Sequence, residues 1–178
     1  MKLILNIVGA ALTATLLLAS PPAHAYVYLT EAALLGSFFP DQTPVKVSFS
    51  PDPTELRAAL GYPLPRPTYE ILVGHDTAGA PTYAIIDEQI GLHEPITFAV
   101  LLDGSATIRQ LELMVYREAY GDGVRAPAFR DQFRGLGLAA PMRPGKDIRI
   151  VSGATISTRS LSVGARRACA LVSAWLTK

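Results

Sequence analysis

One cysteine and three histidines are all that 178 residues provide. Cys169 has no internal disulfide partner, and a cysteine-built zinc or iron–sulfur site has no ligand set. Three imidazoles offer little to any other transition metal, so metal chemistry is not expected. The sequence contains no run of Lys or Arg, and its 16 basic side chains are balanced by 15 acidic ones. Neutralising phosphates along a nucleic acid needs clustered cations, so a nucleic-acid partner is excluded. A Gly-x-Ser-x-Gly elbow is also missing, which removes a serine-hydrolase reading of Ser152. Hydrophobic residues make up 49% of the chain. That fraction rules out disorder, and the length suits one domain of ordinary size.

Residues 1–25 are set apart from the rest. Lys2 gives a short basic start, Leu3 to Ala19 is uncharged and apolar, Ser20-Pro21-Pro22 breaks the run, and Ala23-His24-Ala25 places small residues where a signal peptidase needs them. The reading is a cleavable secretory signal peptide, cut after Ala25, ahead of a domain at residues 26–178. The apolar stretch is shorter than the roughly 20 residues of a spanning helix, which argues against an uncleaved anchor. Loss of Lys2 with the leader leaves equal numbers of basic and acidic side chains. A soluble periplasmic protein is expected, with its one thiol shielded among Ala168, Ala170 and Leu171.

The remaining chain mixes helices with antiparallel strands and shows no internal repeat, which makes the class α+β. Thr30 can cap a helix near residues 30–39. Asp52-Pro53-Thr54-Glu55 combines a capping carboxylate, a proline at the first helical position and a Glu three residues after the cap, so a second helix is predicted at 53–60 with Gly61 as its stop. Tyr69 to Val73 and Thr82 to Ile86 read as strands around the loop Gly74 to Pro81. Two apolar runs, Ile96 to Leu102 and Ile108 to Tyr116, flank Asp103-Gly104, a dipeptide of tight hairpin turns. Strict alternation in the second run puts Arg109, Leu111, Leu113 and Val115 on one side, giving a hairpin with one wall on the core. Pro127 opens a short helix carrying Phe129 and Phe133, and Gly135-Leu136-Gly137 stops it. Ile148 to Val151 reads as a last strand. From Thr158 onward Leu161, Ala165, Ala168, Val172 and Trp175 recur at helical spacing and define an amphipathic C-terminal helix. Arg166-Arg167 is expected on its solvated face.

Between that strand and helix lies Ser152-Gly153-Ala154-Thr155-Ile156-Ser157-Thr158. Free amide hydrogens at a helix start carry partial positive charge, small residues let an oxyanion approach the backbone, and Ser152, Ser157 and Thr158 add hydroxyl donors. Ordinary helix capping by Ser and Thr accounts for the same residues. Both readings stand from the residues alone.

The string SGAT before a helix in an exported chain resembles the extracytoplasmic FMN-binding domain family, which includes subunits of the sodium-pumping NADH:quinone reductase and of the Rnf electron-transport complex. Its signature is Asp-x-x-(Ser/Thr)-Gly-Ala-Thr, whose last Thr accepts FMN as a phosphoester from a flavin transferase. The matching residue is Thr155. Gly91 to Thr97, Tyr116 to Gly121 and Phe129 to Gly135 extend the resemblance, so that it covers Thr30 to Trp175. It implies covalent FMN at Thr155, with Ser152, Gly153, Ala154, Ile156, Ser157 and Thr158 around it and Glu118, Tyr120 and Gly121 beside the flavin, Tyr120 packing on the ring. It also implies a flavin transferase for maturation and a redox partner protein, such as a membrane electron-transport complex, with the chain as an electron carrier. One position departs from the signature, since Arg149 stands where the Asp belongs, and the nearest carboxylate is Asp147 on the same strand face by period two.

Alternatives for these groups are plainer. Glu118 can pair with Arg117 or Arg125 on a solvated edge. His93 and Glu94 before Pro95 form an incomplete metal or acid–base site and suit a loop, and His75 and Asp76 belong to a hairpin loop. At the level of function, a flavin-dependent small-molecule reductase and a flavin-free binding or assembly module of the same fold compete with the carrier.

Overall fold

The capping signals act where the sequence places them. In this computed structural model, which describes residues 25–178, the Thr30 hydroxyl accepts from the Ala33 amide and starts helix α1, Glu31–Phe38. The Asp52 carboxylate accepts from the Thr54 and Glu55 amides and starts α2, Pro53–Leu60, which closes at Gly61. The leader and its cleavage point lie outside the described residues, apart from Ala25. No described helix is long and apolar enough to cross a membrane.

Six strands follow the order β1-β6-β5-β4-β3-β2, every neighbour antiparallel. They are β1 Tyr26–Val27, β2 Val45–Phe49, β3 Tyr69–His75, β4 Pro81–Ile90, β5 Pro95–Asp103 and β6 Ile108–Tyr116. The two edge strands, β1 and β2, are not predicted from sequence. Both are short and largely exposed; β1 has too few residues to carry a pattern, whereas β2 does alternate, Val45-Lys46-Val47-Ser48-Phe49, over only five residues. The longest element is α4, Thr155–Leu176. It starts three residues before the predicted Thr158 because the signature threonine is itself the first helical residue.

The α4 stripe Leu161, Ala165, Ala168 and Val172 lies in the main core with Ile71, Ile85, Phe98 and Leu111, while Trp175 is half-buried and meets Phe49 edge-on at 5.6 Å between ring centres. Helix α1 covers the opposite face through Leu34 and Phe38 on Leu72, Ala84, Ala99 and Met114. The hairpin therefore has core on both sides, not on one wall. Register shifts between Thr97 and Phe98 and between Leu101 and Leu102 break the pairing of β5 with β6. These bulges set Ile108, Leu111, Leu113 and Tyr116 in one core and Met114 in the other. Strict alternation fails for that reason.

The β5–β6 turn also departs from a tight Asp-Gly hairpin. It runs from Asp103 to Thr107, the Asp103 carboxylate accepts from the Ser105 and Thr107 amides, and the positive φ falls on Ala106. Ile148 to Val151 is not a strand. Ile148 makes one isolated bridge to Pro144, and the Arg149 amide donates to the Gln132 side chain, away from any sheet edge. The helix predicted at Pro127 forms as one turn, Pro127–Arg130, and continues as a 3-10 turn, Asp131–Phe133.

Arg166 and Arg167 do not lie on a solvated face. Arg167 is 1% exposed and meets Asp87, itself 2% exposed, at 2.7 Å through Nε. Its remaining donors reach the Gln89 side chain and the Glu88 carbonyl, both at 2.9 Å. Arg166 caps the end of α2, donating to the Leu60 and Ala59 carbonyls at 3.0 and 2.8 Å. Cys169 is fully buried, as expected, and burial pushes its thiol pKa up to about 12.

Candidate functional site

Three chain segments meet at the amino end of α4 and enclose a cleft of about 500 Å³. The first wall is the β4–β5 turn with Leu92 and His93, the second the stretch Glu118 to Gly121 after β6, and the third Gly153 to Ser157. The volume falls within the range of small-molecule and cofactor sites.

The third wall begins with a turn closed by the Ala154 amide on the Val151 carbonyl at 2.9 Å, with positive φ at Gly153. Ala154 is the N-cap residue, and no side chain caps the helix. Ordinary capping by Ser or Thr is thus not what this cluster does. The first amides of α4 have no side-chain cap and belong to residues that line the cleft, an arrangement suited to an anionic oxygen.

The four hydroxyls expected to act together are separated by the fold. Thr155 is exposed and lines the cleft. Ser152 is exposed on the preceding turn but does not line it. Thr158 is fully buried and accepts from the Val151 amide at 3.4 Å. Ser157 borders the cleft yet is itself buried, and its Oγ lies 2.8 Å from Tyr116 Oη. Tyr116 Oη in turn donates to the Tyr120 carbonyl at 2.5 Å. A phenol has one proton, so the hydroxyl proton of Ser157 is the one shared with Tyr116, which leaves it unavailable to a ligand. Tyr116 is the site residue that sequence reasoning missed. Its place at the end of an apolar strand reads only as core.

Glu118 does not pair with Arg117 or Arg125. It is buried, and its Oε1 accepts from the His93 amide at 2.6 Å and the Glu94 amide at 2.9 Å. Burial by itself would raise its pKa, but these amides outweigh that and hold the carboxyl below its ordinary value. His93 and Glu94 therefore serve through their backbone, with the His93 ring at the cleft. Gly121 has φ of 95°, and a Cβ there would stand 2.7 Å from Tyr116 Oη and 2.9 Å from Ser157 Oγ. Only glycine meets both demands. Tyr120 is 87% exposed and borders the cleft with Leu92 and Ile156, so its ring is not packed against the protein. His75 and Asp76 lie elsewhere, where the Asp76 carboxylate accepts from the Ala78 and Ala80 amides and from Arg109.

Asp147 is not equivalent to the signature carboxylate. It sits in a turn, accepting from the Arg143 amide and guanidinium at 2.9 and 3.0 Å. Arg149 is exposed, its amide held by Gln132. No group of three or more His, Cys, Asp or Glu among the described residues could hold a metal ion.

Residues 91–170 match the model of the FMN-binding domain family. That span contains all three walls of the cleft. The crystal structure of a subunit of the Na(+)-translocating NADH-quinone reductase from Parabacteroides distasonis shares the fold, with a TM-score of 0.53 and 16% identity over 76% of this chain and 79% of that one. No curated protein matches the chain. Residues 91–170 therefore carry the chain's similarity to the FMN-binding domain family, and the chain shares the fold of the reductase subunit.

Proposed function

We propose that the protein is a periplasmic electron carrier, exported by the signal peptide at residues 1–25, with FMN joined through its phosphate to Thr155. The observation that carries this reading is the sorting of hydroxyls at the start of α4. Ser157 and Thr158 are buried and engaged, Ser152 stands off the cleft, and Thr155 is the exposed hydroxyl within it. A phosphoester there lies beside uncapped amides, which favour its negative charge. Leu92, Tyr120 and Ile156 supply apolar surface for a flavin ring.

Bound FMN supplies the one- and two-electron chemistry. The chain's own residues orient, shield and hold charge. Thr155 is an attachment point and not a nucleophile in turnover. A covalent tether suits an exported protein, because a cofactor lost outside the cytoplasm has no pool to replace it. Maturation then requires a flavin transferase, and electrons pass to and from a redox partner protein such as a membrane electron-transport complex. Arg149 in the signature position, with Asp147 already committed to Arg143, favours a second reading in which the fold works without a covalent flavin.

Intact mass of periplasmic protein coexpressed with a flavin transferase, with in-gel fluorescence after denaturation, tests the reading. One FMN adduct is expected in the wild type and none in Thr155→Ala. An unmodified yellow protein would replace the tether with noncovalent FMN and leave a small-molecule reductase open. A colourless protein would select the flavin-free module.

A further inference from the structure

The second and third walls of the cleft are joined by one hydrogen-bonded chain. Ser157 O–H donates to Tyr116 Oη at 2.8 Å, and Tyr116 O–H donates to the Tyr120 carbonyl at 2.5 Å. Both side chains are buried, Tyr116 in the main core. Burial raises the phenol pKa, so the hydroxyl stays protonated and able to donate through neutral pH. Consecutive bonds of this kind polarise one another in a low-dielectric setting. Gly121 lies against both oxygens, as the positions of its absent Cβ show. Glu118 fastens the other end of the same stretch to the first wall through the His93 and Glu94 amides. The segment from Glu118 to Gly121 is thus pinned at two points, and the Tyr116 hydroxyl is the point that ties it to the helix bearing Thr155.

We propose that Tyr116 is the positioning residue of this cleft: with Ser157 it latches the Glu118 to Gly121 wall onto the first turn of α4, and so sets how far a flavin carried there is screened from water. The screening half rests on the reading of Thr155 as the flavin site. The latch itself is a property of the polypeptide and is measured without flavin. Tyr116 does not touch the reacting atoms and acts through the Tyr120 carbonyl and Ser157.

Tyr116→Phe keeps the buried ring and deletes only the oxygen. Ser157→Ala deletes the other end, and Ser157→Thr keeps a hydroxyl there. Hydrogen exchange by mass spectrometry on the flavin-free chains is read in peptides covering residues 117–124 and 152–158. Each deletion is expected to speed exchange in both segments by about tenfold, the scale of one lost buried hydrogen bond. The double variant is expected to be no faster than Tyr116→Phe alone, because that change already removes both bonds of the chain, the one to Ser157 included, and Ser157→Thr is expected to exchange as the wild type does. Unchanged exchange, or a change confined to one segment, would overturn the latch. Should Tyr116→Phe not fold, Ser157→Ala decides alone.

In flavin-loaded protein, iodide quenching of flavin fluorescence is expected to be several-fold faster in Tyr116→Phe, with the same one-FMN mass. Equal quenching would overturn the screening role. A wild type that takes up no flavin would defeat the Thr155 reading instead, while the exchange result still decides the latch.

Discussion

The carboxylate of Glu118 accepts from the backbone amide of His93, 25 residues away in sequence, at 2.6 Å, and so closes the cleft on one side. With the Glu94 amide as a second donor, the ionised form is favoured in the folded protein and the carboxyl pKa lies below its unfolded value. The stabilisation is therefore present above the unfolded pKa and is lost as pH falls through the folded one. Glu118→Gln is expected to lower stability by about 1–3 kcal/mol at neutral pH, the range for hydrogen bonds to a charged group. Urea denaturation from pH 7 downward checks this. The gap between variant and wild type should begin to narrow as pH falls below the ordinary carboxylate pKa of about 4.3 and should close only below the lower folded pKa, where Glu118 is protonated in both states. A gap that persists unchanged into acid would show that the negative charge is not what the amides hold.

Arg167 and Asp87 face each other from α4 and β4 with almost no access to water. Arg66, half-exposed, also pairs with Asp87. Removing Arg167 leaves the buried Asp87 with only the half-exposed Arg66 as its cationic partner, so Arg167→Met is expected to cost up to about 3–5 kcal/mol, the range for breaking a buried pair from one side. Adding Asp87→Leu should recover much of that loss, since both charges are then gone and the space is apolar. Denaturant midpoints of the two single variants and the double variant test this, and a double variant as unstable as the sum of the singles would refute it.

That pair marks the limit of reading charge from sequence. Arg166-Arg167 on an amphipathic helix looks like a solvated face, because nothing in the local pattern shows that Asp87 sits in a strand interior opposite. Helix starts were legible: Thr30 and Asp52 are local devices whose effect needs only the next few residues. The bulges in β5–β6 were not, because they depend on the partner strand. At the cleft, the turn SGAT and the Glu118 to Gly121 stretch were legible as members of one site. What each hydroxyl does was not. Ser157 and Thr158 follow Thr155 on one helical turn, and only the packing of α4 on the sheet decides that both point inward.

Two glycines in helices carry opposite expectations. A Cβ on Gly164 would overlap the Phe98 ring, in the tight contact between α4 and the sheet. Gly164→Ala must displace a fully buried ring and is expected to destabilise by about 1–3 kcal/mol. Gly36 in α1 has nothing within 4 Å of the same position. There Gly36→Ala is expected to add about 0.5–1 kcal/mol, since alanine loses less chain entropy in a helix. Thermal midpoints should move in opposite directions, and a stabilising Gly164→Ala would mean that the helix stands farther from the sheet than Phe98 requires.

Gly121→Ala separates the cleft from the rest of the fold. Its φ of 95° is unfavourable for alanine, and the added methyl would collide with Tyr116 Oη and Ser157 Oγ. The wall can yield only by moving away from α4, because Tyr116 is locked in the core. The expected outcome is a loss of about 1–3 kcal/mol in stability together with a cleft whose walls no longer meet at α4. Thr155 itself is untouched by this change. Attachment and shielding then part company: flavin fluorescence in loaded protein should become more open to quenching while the intact mass still shows the adduct. A mass without adduct in Gly121→Ala, beside a normal wild type, would show instead that the closed wall is needed for the flavin to be put on.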